Sequence, residues 1–355
     1  MAALAADPAA KQFAAERCSR KTDEDKVETM RRSIFIASVF VLMAVAGCAS
    51  PRIKLFPSQA DPLQEFTLEG KAPEKILLLP IRGVISDNPR QELLRTQPST
   101  VQEAVSHLRK AEKDPLVKAV VLQLDSPGGS VTASDVLYNE IRLFKERTGR
   151  KVVAVMMDVA ASGGYYIALA ADVILAHPTT VTGSVGVVFV RPKVVGLMEK
   201  IGVGVEVSKS GKDKDIGSPF RATTPEEERI FQAMTDQLAK RFLDLVQANR
   251  RLETAQRAAV STARVYLAEE AVNLKLVDRI GYMPDAVAEA KTLAGLTEDA
   301  KVMVYRRVEY PDDNLYNPVT SYEGGRPAVL FETGLSSLVP ALPAGFYYLW
   351  YPGAD

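Results

Sequence analysis

The segment Val159-Ala-Ala-Ser-Gly-Gly-Tyr-Tyr166 places one serine, Ser162, between two alanines and two glycines. A serine there can be a nucleophile, or a small residue capping a helix in a tight turn. A nucleophilic serine needs a base and a set of donors for the developing oxyanion. Glycine loops supply donors as exposed backbone N–H groups. Two further loops have that composition: Asp125-Ser-Pro-Gly-Gly-Ser130 and Val181-Thr-Gly-Ser-Val-Gly-Val187.

The base is harder to assign. The chain has only two histidines, His107 and His177. His107 falls at a polar position of an amphipathic segment and reads as solvent-facing. His177 follows a short apolar run and precedes Pro178, as a residue that caps or packs. A lysine can replace histidine. A free lysine has a pKa of about 10.4, whereas a working base needs about 7–8. The gap of about three units is roughly 4 kcal/mol, which burial can supply. The polar stretch Ser208-Lys-Ser-Gly-Lys-Asp-Lys-Asp-Ile-Gly-Ser-Pro219 offers Lys209, Lys212 and Lys214. An exposed loop is the plainer reading for Lys209 and Lys212, and spacing alone does not choose among the three.

These loops must be held by elements that end beside one another. Continuous apolar runs at Ile76–Pro80, Ala119–Leu124, Val152–Met157 and Val173–Ala176 read as buried strands. Ile76–Pro80 continues into Arg82-Gly-Val-Ile85 as a strand pair or a bent strand. Helical spacing covers Ser99–Lys113, with Ser99 or Thr100 as cap, then Ser134–Glu146, Tyr165–Ala171 and a long stretch, Pro225–Ala259. Strands alternating with helices predict an α/β fold whose mostly parallel sheet is covered on both faces. Sites in such sheets lie beyond the carboxyl ends of the strands. The three glycine loops all follow strands. The sequence shows no strong internal repeat and no clear second domain.

Composition narrows the function. Lys+Arg and Asp+Glu both number 44, so there is no basic field to draw in nucleic acid. The two cysteines, Cys18 and Cys48, exclude a disulfide framework and a cysteine metal site. No metal or organic cofactor is expected.

Residues 30–48 read as an export signal. Arg31 and Arg32 precede an apolar run, Ile34–Ala46, of 13 residues, shorter than the roughly 20 a spanning helix needs. The run ends in Val45-Ala-Gly-Cys48, which resembles a bacterial lipobox and makes Cys48 the expected lipidation site; an uncleaved anchor is the alternative. Either reading puts the catalytic domain in the cell envelope of a bacterium, outside the cytoplasm and beside a membrane. Residues 1–29 read as a start-site artefact or a disordered extension, and the proline-bearing 49–73 as a tether. The expected catalytic domain spans 74–300, with a C-terminal extension over 301–355. Its aromatic run, Phe346-Tyr-Tyr-Leu-Trp-Tyr351, reads either as a membrane or subunit contact or as a tail packed on its own domain.

From Ile76 to Gly281 the chain resembles the signal peptide peptidase A family, membrane-linked serine proteases with a Ser-Lys dyad and a Clp protease/crotonase-like fold of repeated β-β-α units. The resemblance rests on ordered motifs: Asp125-Ser-Pro-Gly-Gly-Ser130, Ala160-Ala-Ser-Gly-Gly-Tyr-Tyr166, Ala171-Asp172, Thr182-Gly-Ser-Val-Gly186, Lys209-Ser-Gly211 with Lys214-Asp215, Val265-Tyr266, and Leu276-Val-Asp278. It implies Ser162 as nucleophile, Lys214 as general base, Gly129 and Gly163 as oxyanion donors, and Ser184 as the hydroxyl that orients the lysine. Asp215 and Ser218 become structural support. It also implies a homo-oligomer and apolar peptide substrates such as signal-peptide remnants. Two departures stand out. The family's Asp-Gly-Arg-Val-Tyr-Thr-Gly is here Thr262-Ala-Arg-Val-Tyr-Leu-Ala268, and an expected Gly-Leu is Lys275-Leu276. Competing readings are a crotonase-like acyl-CoA enzyme and a non-catalytic lipoprotein scaffold.

Overall fold

The computed structural model describes residues 62–91, 96–307, 310, 313–317 and 344–350. The chain divides into two units, Met1–Phe56 and Pro57–Asp355, and every described residue belongs to the second. The export signal, Cys48 and most of the expected tether lie outside the described residues.

In chain order the strands are β1 (Gln64–Glu69), β2 (Ala72–Arg82), the short pair β3 (Arg90–Gln91) and β4 (Thr96–Gln97), β5 (Val117–Ser126), β6 (Gly128–Ser130), β7 (Lys151–Ala161), β8 (Val173–Ala176), β9 (Val181–Gly183), β10 (Val188–Val190), β11 (Val265–Leu267), β12 (Arg279–Ile280), β13 (Ala300–Arg306) and β14 (Gly345–Leu349). The helices are α1 (Thr100–Lys113), α2 (Val131–Thr148), α3 (Gly163–Ala168), α4 (Val195–Ile201), α5 (Pro225–Arg250), α6 (Thr254–Val260), α7 (Ala268–Asn273) and α8 (Met283–Ala294).

The main sheet runs β1-β13-β2-β5-β7-β8-β12, with β9 on the far end of β7 and β11 on β9. From β13 to β12 every neighbouring pair is parallel; β1 on β13 and β11 on β9 are antiparallel. Alternate residues of the apolar runs serve opposite faces. Leu77, Leu79, Leu122, Leu124 and Met156 pack with Leu108, Leu137, Ile141 and Phe144 of α1 and α2. Ile76, Leu78, Val121 and Val155 pack with Met283, Ala286, Val287 and Ala290 of α8. Burial on both faces is why these strands read as unbroken apolar segments. A second sheet of three antiparallel strands, β10-β14-β6, stands beside the glycine loop after β5. The architecture is the expected α/β class, with a parallel-rich sheet between helices.

Four local expectations need correction. The run from Ile76 is one strand reaching Arg82, after which Ile85 makes an isolated bridge to Gly129. The stretch Pro225–Ala259 is two helices, because Arg251 turns left-handed (φ 51) and Glu253 starts a new capping box with Gln256. The helix expected over Tyr165–Ala171 starts earlier, at Gly163, and ends at Ala168. His107 is fully buried rather than solvent-facing. Its Nε2 pairs with Glu103 at 3.2 Å, and its ring stands edge-on to Tyr305 at 6.0 Å. Tyr305 belongs to β13, a strand the sequence hides in the C-terminal extension. Burial raises the Glu103 carboxyl, but His107 and Arg307 outweigh it and hold the group below its ordinary value.

The sheet also crosses both expected edges of the catalytic domain. β1 lies within the expected tether, and β13 runs from Ala300 into the expected extension, which also supplies β14 of the second sheet. His177, on the other face, bonds to Thr179 and packs edge-on against Tyr282 at 5.0 Å.

Candidate active site

Ser162 sits where β7 ends and α3 begins, with φ 51 and ψ −113. A serine rarely holds that backbone, and such strain persists only where surrounding bonds over-determine it. They do so here: Ser162 N–H donates to the Gly183 carbonyl at 2.8 Å, and its own carbonyl accepts from Tyr166 N–H at 2.8 Å. The residue is 1 % exposed, yet its hydroxyl makes no cap bond to α3 and no hydrogen bond to any described residue. A hydroxyl on a buried residue that is not spent on capping the helix it starts is available for chemistry.

The glycines are dictated by close approach. A Cβ on Gly163 would overlap the Ser134 hydroxyl, and a Cβ on Gly129 would overlap the Ile85 carbonyl. The loop is pinned by Ile85 N–H to the Gly128 carbonyl at 2.8 Å and by Ser130 N–H to the Ile85 carbonyl at 3.1 Å. Gly128 (φ +106) brings the two loops together: a Cβ built on it would lie 2.7 Å from Gly163 N. The carboxyl ends of β5 and β7 therefore deliver Gly129 and Gly163 to one place beside Ser162. That arrangement can stabilise an oxyanion formed by attack of Ser162 on a carbonyl.

Residues 145–297 match the model of peptidase family S49, and residues 94–180 match that of Clp protease. Over 273 residues the chain is 32% identical to a protein of Enterococcus faecium named "Putative signal peptide peptidase SppA", covering 76% of this chain and 79% of that one. The chain belongs to peptidase family S49. It is a serine peptidase with a Clp protease-like domain. A protein of Synechocystis named as a putative protease is 37% identical over 226 residues, 64% of this chain and 76% of its own. Protease 4 of Haemophilus influenzae is 32% identical over 243 residues, 68% of this chain and 38% of its own.

Within this S49 peptidase, Ser184 lies one residue beyond the Gly183 that receives the Ser162 N–H. It is 8 % exposed, also left-handed (φ 50), and its N–H donates to the Arg264 carbonyl at 2.9 Å. Ser162, Ser184, Gly129 and Gly163 thus come together on adjoining loops. Lys214 does not join them by any hydrogen bond. Its side chain is exposed and makes no hydrogen bond or ion pair among the described residues, while its backbone N–H donates to the Gly211 carbonyl at 3.2 Å.

Its two rivals are both occupied. Lys209 Nζ donates to Asp215 at 2.6 Å and to the Lys212 carbonyl at 2.9 Å, and Lys212 pairs with Glu226. Among the three lysines of this loop, Lys214 alone is uncommitted within the described residues. Asp215 has the supporting role expected of it. Arg221 bonds Asp215 at 2.9 Å and reaches Glu227, the buried N3 residue of the α5 capping box. Arg221, followed by Lys209, holds the Asp215 carboxyl well below the ordinary carboxylate range; Arg221 and the Thr224 N–H hold Glu227 down to about 2.

Sequence reasoning missed Ile85, Ser134 and Arg221. Ile85 and Ser134 act through a carbonyl and a short hydroxyl at long sequence separation, which no spacing reveals. Arg221 left a weak signal, as the cation flanking the Asp215 and Glu227 carboxylates.

Proposed function

We propose that this S49 peptidase is a membrane-associated endopeptidase that hydrolyses apolar peptides such as cleaved signal peptides. Ser162 is the nucleophile and Lys214 the general base. The neutral lysine takes the Ser162 proton as the oxygen attacks the carbonyl. Gly129 and Gly163 N–H groups hold the oxyanion, the lysine protonates the leaving amine, and water releases the acyl-enzyme. Ser184 orients the lysine. The convergence of Ser162, Gly129 and Gly163 at two adjacent strand ends carries this reading.

The base arrives through assembly of copies. Lys214 follows an uncovered apolar flank: Leu197, Ile201, Val203, Val205, Val207 and Phe220 are each 47–63 % exposed. Covering that flank with a second copy desolvates the lysine and lowers the cost of neutralising it. The basic start, the apolar run Ile34–Ala46 and the lipobox-like end at Cys48 support a location on the outer side of a bacterial membrane, where apolar remnants accumulate. A catalytic test compares a chain beginning at Pro51 with its Ser162→Ala and Lys214→Ala variants on an apolar fluorogenic peptide, with assembly monitored by light scattering. Loss of cleavage in both variants at unchanged assembly supports the dyad; cleavage surviving Ser162→Ala removes it.

A further inference from the structure

Gly183 has two duties in the site. Its carbonyl accepts the Ser162 N–H at 2.8 Å, and the residue after it is Ser184. It is the last residue of β9, with Ala161 of β7 as its partner on one side and Val265 of β11 on the other. Its φ of +89° is one that side chains rarely adopt. The place a side chain would take is already filled. A Cβ built on Gly183 would lie 2.5 Å from Cδ2 of Tyr266 and 3.0 Å from the Arg264 carbonyl. The Tyr266 ring is therefore wedged against the backbone that holds Ser162.

That ring is fixed on its other sides. Tyr266 is buried, its hydroxyl donates to the Ala259 carbonyl of α6 at 2.9 Å, and the Arg264 guanidinium lies over its face at 4.6 Å. The Arg264 carbonyl accepts the Ser184 N–H at 2.9 Å. One short strand, β11, thus holds Gly183 by a ring and Ser184 by a carbonyl. The helix that follows Ser162 is anchored independently. The Tyr165 hydroxyl donates to the Leu276 carbonyl at 2.9 Å, and the Tyr166 hydroxyl donates to Asp135 at 2.6 Å. With the body of α3 held this way, any shift of Gly183 is taken up at the residue that joins β7 to α3, which is Ser162.

We propose that Tyr266 is a positioning residue for the hydrolysis: its ring sets Gly183, and Gly183 sets the Ser162 turn and the Ser184 hydroxyl together. Tyr266 acts through the backbone and not on the reacting atoms. The inference rests on Ser162 being the nucleophile and Ser184 orienting its base. Two strained serines persist only while their surroundings over-determine them. Without the ring, Gly183 relaxes into the vacated space and both serines relax with it. A misplacement of about 1 Å at a reacting oxygen costs about a hundredfold in rate. The loss falls on the chemical step, because substrate contacts away from Ser162 are left in place.

The test compares Tyr266→Phe, which keeps the ring and gives up one hydrogen bond, with Tyr266→Leu, which gives up the ring. Phe144→Leu, in the core between α2 and the sheet, serves as a destabilised control away from both loops. Each assembled full chain is assayed for kcat and KM on an apolar fluorogenic peptide, for the rate at which a fluorophosphonate captures Ser162, and for its denaturant midpoint. In Tyr266→Leu, kcat and the capture rate should fall about tenfold to a hundredfold with KM within about threefold of wild type. Tyr266→Phe should stay within about threefold on every kinetic readout, and Phe144→Leu should lose stability while keeping kcat. In a Ser184→Ala background the Tyr266→Leu loss should shrink, because part of it acts through Ser184. A folded Tyr266→Leu with wild-type kcat, a change confined to KM, or a Tyr266→Phe loss as large as that of Tyr266→Leu overturns the inference. Should Tyr266→Leu not fold, a fluorinated tyrosine placed at 266 and, separately, at 305 replaces it. Capture of Ser162 should then move the fluorine resonance at 266 and leave that at 305 in place; an unmoved resonance at 266 overturns the inference. If the wild type cleaves no peptide and Ser162 takes no fluorophosphonate, the reaction-centre reading has failed and this inference falls with it. If the wild type is captured and Tyr266→Leu is captured as fast, this inference alone has failed.

Discussion

Ser162 and Ser184 share an unusual backbone, φ 51 and φ 50, and are tied by one bond, from the Ser162 N–H to the carbonyl of Gly183. Two strained serines on adjoining loops keep two hydroxyls at one strand end. Strain of this kind costs about 1–3 kcal/mol per residue and is retained where function requires it. Ser162→Gly should therefore raise the unfolding free energy by about 1 kcal/mol while lowering kcat by about three orders of magnitude or more. Chemical denaturation and peptide cleavage on the same preparation measure both. An unstable, inactive Ser162→Gly would mean the hydroxyl serves the fold.

The departures from the family pattern meet the same physics. Ala263 and Lys275 stand where the signal peptide peptidase A pattern has glycine, and both are left-handed, φ 58 and φ 61. Each L side chain there costs about 1 kcal/mol that glycine avoids, partly offset by the glycine's larger chain entropy. Ala263→Gly and Lys275→Gly should each stabilise the protein by about 0.5–1 kcal/mol with cleavage unchanged, by urea midpoint. The Lys275 pair with Glu253 is exposed and its loss subtracts little.

How much of this was legible follows from where the information lies. The parallel core was readable because each strand is buried on both faces, which leaves continuous apolar runs. The glycine loops were readable because close approach forces glycine and leaves a motif; the roles of Ser162, Gly129 and Gly163 came only from the family resemblance. His107 was misread because its neighbour Tyr305 is distant in sequence, on a strand set aside with the extension. Lys214 was separable from Lys209 and Lys212 only by resemblance; in the structure the other two are spent on Asp215 and Glu226. The aromatic run at Phe346 was visible, but its place against Gly129 is a long-range pairing that no local pattern encodes.

Gly163→Ala probes the shelf directly. Its Cβ meets the Ser134 hydroxyl of α2, so that side chain or the start of α3 must shift, at about 1–3 kcal/mol. Adding Ser134→Ala to Gly163→Ala removes the oxygen in the way and should recover part of the stability. Cleavage should recover less, because the donor geometry stays disturbed. A double-mutant cycle on denaturant midpoints and kcat measures the coupling; additive effects would deny the contact.

The lysine loop should respond to acid. Glu227 falls from an ordinary value of 4.5 to about 2 in the fold, and Asp215 is also depressed, both chiefly through Arg221. Depressed carboxyls stabilise the folded state above their unfolded pKa, and that contribution is lost as pH falls through the folded pKa. Protection of residues 209–228 in hydrogen exchange should hold above about pH 4.5 and decline between there and about pH 2. Glu227→Gln should loosen this loop already at neutral pH and flatten its acid dependence. A loop equally protected at pH 7 and pH 2.5 contradicts the anchor.

The central claim is that Ser162 attacks with Lys214 as its base. The most direct measurement is cleavage of an apolar fluorogenic peptide by the assembled wild type, Ser162→Ala and Lys214→Ala, with covalent capture of Ser162 by a fluorophosphonate read by mass spectrometry. The account predicts one adduct, on Ser162, and loss of cleavage by about three orders of magnitude or more in both variants at unchanged assembly. Cleavage that survives Ser162→Ala, or full activity in Lys214→Ala, would contradict it.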